Sequence, residues 1–293
     1  MIIGARTGTW SKSGSPTPAA YGGLCFTAEA DNSSVQLTAV GSAPAVTLVK
    51  SFDGVNWEAY AVGEVIELPS VGDFVYLAAG EGGNETFGSS LSAYHNFVIN
   101  GLVAASGDIT SIRRFDLEQT TLAKYCYYSM FRNCTGLTGA PELPAKTLAS
   151  SCYRSMFDGC TGLTGAPELP ATTLGTHCYY FMFSGCTGLT SAPELPATTL
   201  ASSCYRSMFH GCTGLTSAPE LPATTLEGDC YAFMFSGCTN LSLIQVHFTA
   251  WGSQTAGWVS EVSPTGTFYK PTALPEEYET SKIPTGWTVV NID

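Results

Sequence analysis

The chain has 293 residues, 44% of them hydrophobic and 12% charged, and its 24 acidic against 12 basic side chains leave a net charge of −12. That hydrophobic content is ample for a buried core and excludes a disordered chain. The negative balance, with Lys and Arg scattered, excludes nucleic acid as a partner, and no run of 18 or more apolar residues exists to span a membrane.

Residues 1–21 are rich in Gly, Ser, Pro and Thr and read as an N-terminal tail or anchor, with Ile2, Ile3 and Trp10 as docking points on a partner such as the proteins of a virion. They lack the continuous apolar stretch of a secretory signal. Met1 as a native start implies a protein not exported by the usual route; a signal cut away is the alternative.

Residues 22–106 alternate apolar and polar positions between turn signals, at Leu24 to Ala28, Ser34 to Val40, Val46 to Val49, Asn56 to Tyr60, Val65 to Leu68, Phe74 to Ala78 and Phe97 to Leu102. This pattern predicts an antiparallel β-sandwich. The Asp53-Gly54 pair between apolar arms marks a hairpin. Gly80 to Glu85 is glycine-rich and reads as an exposed, flexible loop.

Residues 107–242 carry a repeat. The phrase C-Y-x-x-M-F-x-x-C begins at Cys126, Cys152, Cys178, Cys204 and Cys230, each 26 residues after the last, and Leu117 to Leu122 aligns with Leu143 to Leu148 as a degenerate first unit. A constant period of this size predicts a solenoid, whose units bury their apolar faces by stacking on each other. The spacing of Cys152, Met156 and Cys160 predicts a short helical turn with one inward stripe, ended by Gly159 in the left-handed conformation. The following L-T-x-A-P-E-L segment reads as a short strand, with Leu163, Ala166 and Leu169 inward and Thr164 and Glu168 outward. Its proline (Pro141, Pro167, Pro193, Pro219) removes a ladder donor and makes the strand imperfect. Residues 243–293 break the period, and Trp251, Trp258, Phe268, Tyr269 and Trp287 supply the bulk of a β-rich C-terminal cap. The fold class expected is therefore a mixed α/β repeat, an N-terminal β-sandwich followed by a capped solenoid.

The pattern L-x-x-x-x-x-L-P-A-T-T-L-x-x-x-C-Y-x-x-M-F-x-x-C-T-x-L, over roughly residues 108 to 250, is similar to the BspA-like leucine-rich repeats of bacterial surface proteins, a family associated with adhesion. The resemblance implies architecture and no catalytic residue. Leu137, Leu163, Leu189 and Leu215 match its core leucine, and Phe131, Phe157, Phe183, Phe209 and Phe235 its core aromatic. The P-E-L-P-A loop makes this repeat longer than the family's. The whole layout, ending in G-T-F-Y-K and I-P-T-G-W-T, resembles that of surface proteins and phage proteins of gut bacteria.

Of eleven cysteines, ten fall in the repeats as pairs eight residues apart, and Cys25 stands alone. The odd count and the absence of C-x-x-C favour buried thiols over disulfides and over zinc. The sequence holds no G-x-S-x-G, P-loop, H-E-x-x-H or G-x-G-x-x-G, and His95, His177, His210 and His247 lie in different units. No enzyme, cofactor or metal is expected.

Function then falls to exposed positions of the repeats. Positions two and three after the opening cysteine read Tyr128-Ser129, Arg154-Ser155, Tyr180-Phe181, Arg206-Ser207 and Ala232-Phe233, alternating with a 52-residue super-period. Tyr128, Arg154, Tyr180, Phe181, Arg206 and Phe233 are the candidate partner-binding strip, for a protein or glycan on a cell surface. The competing reading packs them on a neighbouring loop or on the cap. Glu142, Glu168, Glu194 and Glu220 form a carboxylate column. At a strand spacing of about 4.8 Å, neighbours repel by roughly 0.9 kcal/mol in water. Splaying into solvent is the favoured outcome, and a bound divalent cation is the weaker one. The expected protein is a non-enzymatic binding protein of a phage virion (fibre, decoration or receptor-binding component). A cell-surface or secreted bacterial adhesin is the alternative and an enzyme a distant third. Self-association is left open.

Overall fold

The computed structural model describes residues 23–113 and 121–292; the tail with Ile2, Ile3 and Trp10, and Leu117 of the degenerate first unit, lie outside them. The chain forms a β-solenoid of about 7 turns. Among the described residues no helix is long and apolar enough to cross a membrane.

The first part is built from strands β1 (Cys25–Ala28), β2 (Ser33–Val40), β3 (Leu48–Ser51), β4 (Glu58–Tyr60), β5 (Val65–Leu68), β6 (Phe74–Ala79), β7 (Gly88–Ser90), β8 (Ala93–Asn100) and β9 (Val103–Ser106). All seven expected segments meet one of these strands; β7 and β9 are additional. One sheet runs β5-β2-β8-β7 and the other β9-β1-β6-β3-β4, antiparallel throughout. The alternation is what buries Val35 and Leu37 in β2 and Phe97 and Ile99 in β8. The Asp53 hairpin joins β3 to β4, with Gly54 at φ 73°. The Gly80 to Glu85 loop is exposed at Glu81, Gly82 and Glu85 as expected, while Asn84 is buried and ties it down. Its amide donates to the Thr47 and Ile112 carbonyls (3.0 and 2.8 Å) and its Oδ1 accepts from Thr47 N (2.8 Å).

The repeats stack on this part. Strand β11 (Leu137–Gly139) extends the second sheet by pairing in parallel with β9, and β10 (Thr121–Leu122) pairs with β12 (Thr147–Leu148) at one period, Leu122 against Leu148. Five rungs follow, Cys126–Cys134, Cys152–Cys160, Cys178–Cys186, Cys204–Cys212 and Cys230–Cys238. A sixth, Gln254 to Glu261, continues them: Phe235 N donates to Trp258 O at 2.9 Å, as Phe209 N does to Met234 O at 3.0 Å. Strands β13 (Leu243–Gln245), β14 (Thr267–Pro271) and β15 (Thr288–Ile292) pair in parallel and close the end over Trp258, Phe268 and Trp287.

The rungs are where the expectation of helix fails. In the third rung Cys178, Tyr180, Met182, Ser184 and Cys186 donate their N–H to the carbonyl three residues back. His177, Tyr179, Phe181, Phe183 and Gly185 donate to the next rung, at Ser202, Cys204, Arg206, Met208 and His210. Every fourth residue is left-handed, here His177, Phe181 and Gly185 at φ 58°, 56° and 70°. A continuous right-handed helix cannot contain such residues. The rung is a row of tight turns, and that row still places Cys178, Met182 and Cys186 inward, as helical spacing would. The L-T-x-A-P-E-L segments form an assigned strand only at β11, yet Leu163 and Leu169 are buried and Thr164 and Glu168 exposed. In the adjoining T-G-L, a Cβ on Gly188 or Gly214 would stand 2.7 or 2.6 Å from a carbonyl of the preceding repeat, so glycine lets these layers close; in the last repeat Asn240 takes this place and its amide donates to the Thr213 carbonyl at 2.8 Å.

Candidate functional site

The inner face of the solenoid is one buried column after another. Phe131, Phe157, Phe183, Phe209 and Phe235 stack at 5.4, 5.5, 5.7 and 5.8 Å between ring centroids, with planes within 8°. All eleven cysteines are free and buried. The closing thiols donate back one rung to a phenylalanine carbonyl: Cys160 to Phe131 at 2.9 Å, Cys186 to Phe157 at 3.1 Å, Cys212 to Phe183 and Cys238 to Phe209 at 3.0 Å. Burial raises these thiols, Cys134, Cys186 and Cys238 to about 12. Protonated, enclosed thiols are neither nucleophiles nor metal ligands.

The outer face differs from rung to rung. Positions three after the opening cysteine are left-handed throughout: Ser129, Ser155, Phe181, Ser207 and Phe233 have φ between 53° and 56°. Serine there carries a small side chain; phenylalanine is a bulky one that this conformation disfavours. In the second to fifth rungs the other left-handed residues are Ser, His, Asp or Gly, so Phe181 and Phe233 stand apart. Phe233 is 40% exposed. Its ring lies over Gly257, which has φ 59°, and a Cβ there would stand 2.7 Å from Cε1 and push the ring aside.

Four of the predicted strip residues form a ladder along the solenoid axis. The Arg154 guanidinium sits 4.4 Å from the Tyr180 ring, Arg206 sits 6.0 Å from the same ring, and Arg206 is 5.5 Å from Phe233. Phe181 meets Tyr180 edge-on at 4.4 Å. These are cation–π contacts at half-exposed positions. Tyr128 does not belong with them: it is buried at 8% exposure against Tyr94 (4.9 Å) and Tyr125 (6.3 Å), because the first rung abuts the N-terminal sheets.

Two neighbours were missed in the sequence. Asp229 pairs with Arg206, Oδ2 to Nη1 at 2.6 Å. His177 stands edge-on to Tyr180 at 5.6 Å, and its pKa is lowered by burial and then by the charges of Arg154 and Arg206. Both lie one residue before an opening cysteine, a position whose variation from repeat to repeat was the available signal. Glu142, Glu168, Glu194 and Glu220 are exposed. Glu220 is engaged by His247 Nε2 (2.6 Å) and Gln245 Nε2 (3.1 Å). Among the described residues no group of three or more His, Cys, Asp or Glu is disposed to hold a metal ion.

Comparison of the chain with protein families, with curated proteins and with solved structures finds no match.

Proposed function

We propose that this chain is a non-enzymatic binding protein displayed on a surface, that of a phage virion, and that its second to fifth rungs hold a partner on a cell surface, glycan or protein. The repeats are read as BspA-like leucine-rich repeats, and the two N-terminal sheets as a sandwich that spaces them from the particle. The observation that carries the reading is the left-handed pair Phe181 and Phe233. Holding a side chain in that conformation costs about 1–2 kcal/mol. Ser155 and Ser207 occupy the same place in sister rungs without a large ring to present, so folding does not call for phenylalanine. Strain kept on the outside of a regular scaffold points to binding.

The test uses the double substitution Phe181→Ser and Phe233→Ser, which installs the residue of the sister rungs. Fluorescently labelled full-length protein should bind host cells, and the double variant should bind at least about tenfold more weakly, the scale of an interface hot spot, with an unchanged melting curve. Equal binding by the two proteins would overturn the reading. Mass spectrometry of purified particles should find the chain among the virion proteins, and its absence there would remove the virion from the proposal.

A further inference from the structure

We infer that the outer face around Arg154, His177, Tyr180 and Arg206 binds a carboxylate carried on an acidic glycan that runs along the solenoid axis. This rests on the proposed binding role and names its ligand class.

Tyr180 receives a guanidinium from each flanking rung, Arg154 at 4.4 Å and Arg206 at 6.0 Å. The ladder thus sets two guanidinium groups against two aromatic rings on the outer face. An aromatic edge is the positive part of its quadrupole, and a guanidinium edge is a row of N–H donors. The stripe is therefore electropositive on a chain of net charge −12. Arg206 is already neutralised by Asp229. Arg154 is not: among the described residues it makes no ion pair, and its Nε is buried without a hydrogen-bond partner. The guanidinium as a whole is half-exposed and has no acidic partner among the described residues, and a carboxylate set against its terminal N–H groups gains a charge-assisted hydrogen bond. His177 beside it feels both arginines.

Two further features choose the kind of anion. Every backbone N–H from His177 to Cys186 is spent within the rung or on the next one, so this face offers an extended peptide no edge to pair with. The exposed glutamate column and the overall negative charge repel densely charged polymers such as sulfated glycans. A polymer with one carboxylate per sugar and no sulfate suits one unpaired arginine beside an aromatic ring.

The experiment is isothermal titration of the full-length protein with oligogalacturonate, its methyl ester and polyglutamate. Oligogalacturonate should bind, the ester should bind at least about tenfold more weakly, and polyglutamate should not compete. Arg154→Ala, which places at this position the residue that the fifth rung holds at Ala232, should cost at least about tenfold, and Arg154→Lys should recover part of it. Equal binding of acid and ester would overturn the carboxylate, tighter binding of polyglutamate would overturn the glycan, and an unaffected Arg154→Ala would overturn the site. Absence of binding to all three probes overturns this inference alone if cell binding still depends on Phe181 and Phe233.

Discussion

The N-terminal sheets and the rungs both pass backbone hydrogen bonds from one layer to the next, but they build their cores in opposite ways. In the sheets a side chain meets strangers: Phe26 packs on Phe97 at 4.9 Å and, across the junction, on Phe131 of the first rung at 6.2 Å, in tilted arrangements. In the rungs each side chain meets itself. The tyrosines Tyr127, Tyr153, Tyr179, Tyr205 and Tyr231 repeat at 5.6 to 6.0 Å with planes within 13°. Identity along a column lets one good contact be used many times, and it also makes any weakness of that residue type accumulate.

The cysteines give the largest test of that difference. Cys25 is the one thiol of the described sheet residues, and the rungs hold ten. An ordinary thiol ionises near 9.0; burial raises Cys25 and Cys126 to about 11 and Cys134, Cys186, Cys204 and Cys238 to about 12. The folded state keeps its protons while the unfolded chain releases them above 9.0. The stabilisation is thus complete below that pH and is lost as pH rises towards the folded values. Each buried thiol loses on the order of 1 kcal/mol of stabilisation per pH unit in that window. Near pH 10 the rungs together should lose on the order of 10 kcal/mol, comparable with the whole stability of a domain, and the sheets about a tenth of that. Limited proteolysis between pH 8 and 10.5 should therefore cut the repeats first; simultaneous cleavage of both parts would break the comparison.

How much of this was legible follows the same divide. The sheets obey a period of two with a single physical cause, so their strands were readable, and β7 and β9 escaped because Gly88 to Ser90 and Val103 to Ser106 are short and carry small residues. The solenoid was readable from its period. Its local conformation was not, because Cys178, Met182 and Cys186 face inward whether the backbone is a helix or a row of turns. Only the Ser, His, Asp and Gly residues recurring every fourth position in the rungs distinguish the two, through their tolerance of the left-handed region. Of the residues that the structure brings together on the outer face, Arg154, Tyr180, Phe181, Arg206 and Phe233 were picked out in the sequence by their alternation. The burial of Tyr128 depends on Tyr94, a contact between distant segments that no local pattern encodes.

A middle-sized effect sharpens the comparison through two aromatic deletions. Phe183→Ala and Phe26→Ala each remove a fully buried ring and should cost about 3–5 kcal/mol. Their consequences should differ in kind. Phe183 sits between Phe157 and Phe209, at 5.5 and 5.7 Å, and in a stacked array each unit is coupled only to its neighbours. Its loss should split urea unfolding into two transitions, one on each side of the third rung. Phe26→Ala should keep the number of transitions of the parent and shift the midpoint. A single transition for Phe183→Ala would mean that the rungs are coupled more widely than their contacts suggest.

The smallest effect reverses sign between the two parts. Ser129, at the junction where the Asn96 side chain donates to its carbonyl at 2.7 Å, has φ 53° and a buried Oγ without a hydrogen-bond partner. Glycine there removes the steric cost of the left-handed conformation, about 1 kcal/mol, and the unsatisfied hydroxyl, at the expense of a small void. The net expectation for Ser129→Gly is stabilisation by about 1 kcal/mol, or a rise in Tm of about 2–4 °C. Ser34 in β2 is also buried, but it is extended, and its Oγ accepts from Asn100 Nδ2 at 3.3 Å. Ser34→Gly frees a strand residue to explore more of the unfolded ensemble and deletes that acceptor, so it should lower Tm by a similar amount. Calorimetry of both variants at pH 7 decides the matter. If both lower Tm, the left-handed positions of the rungs carry no penalty that glycine relieves, and the strain assigned to Phe181 and Phe233 must be re-examined with them.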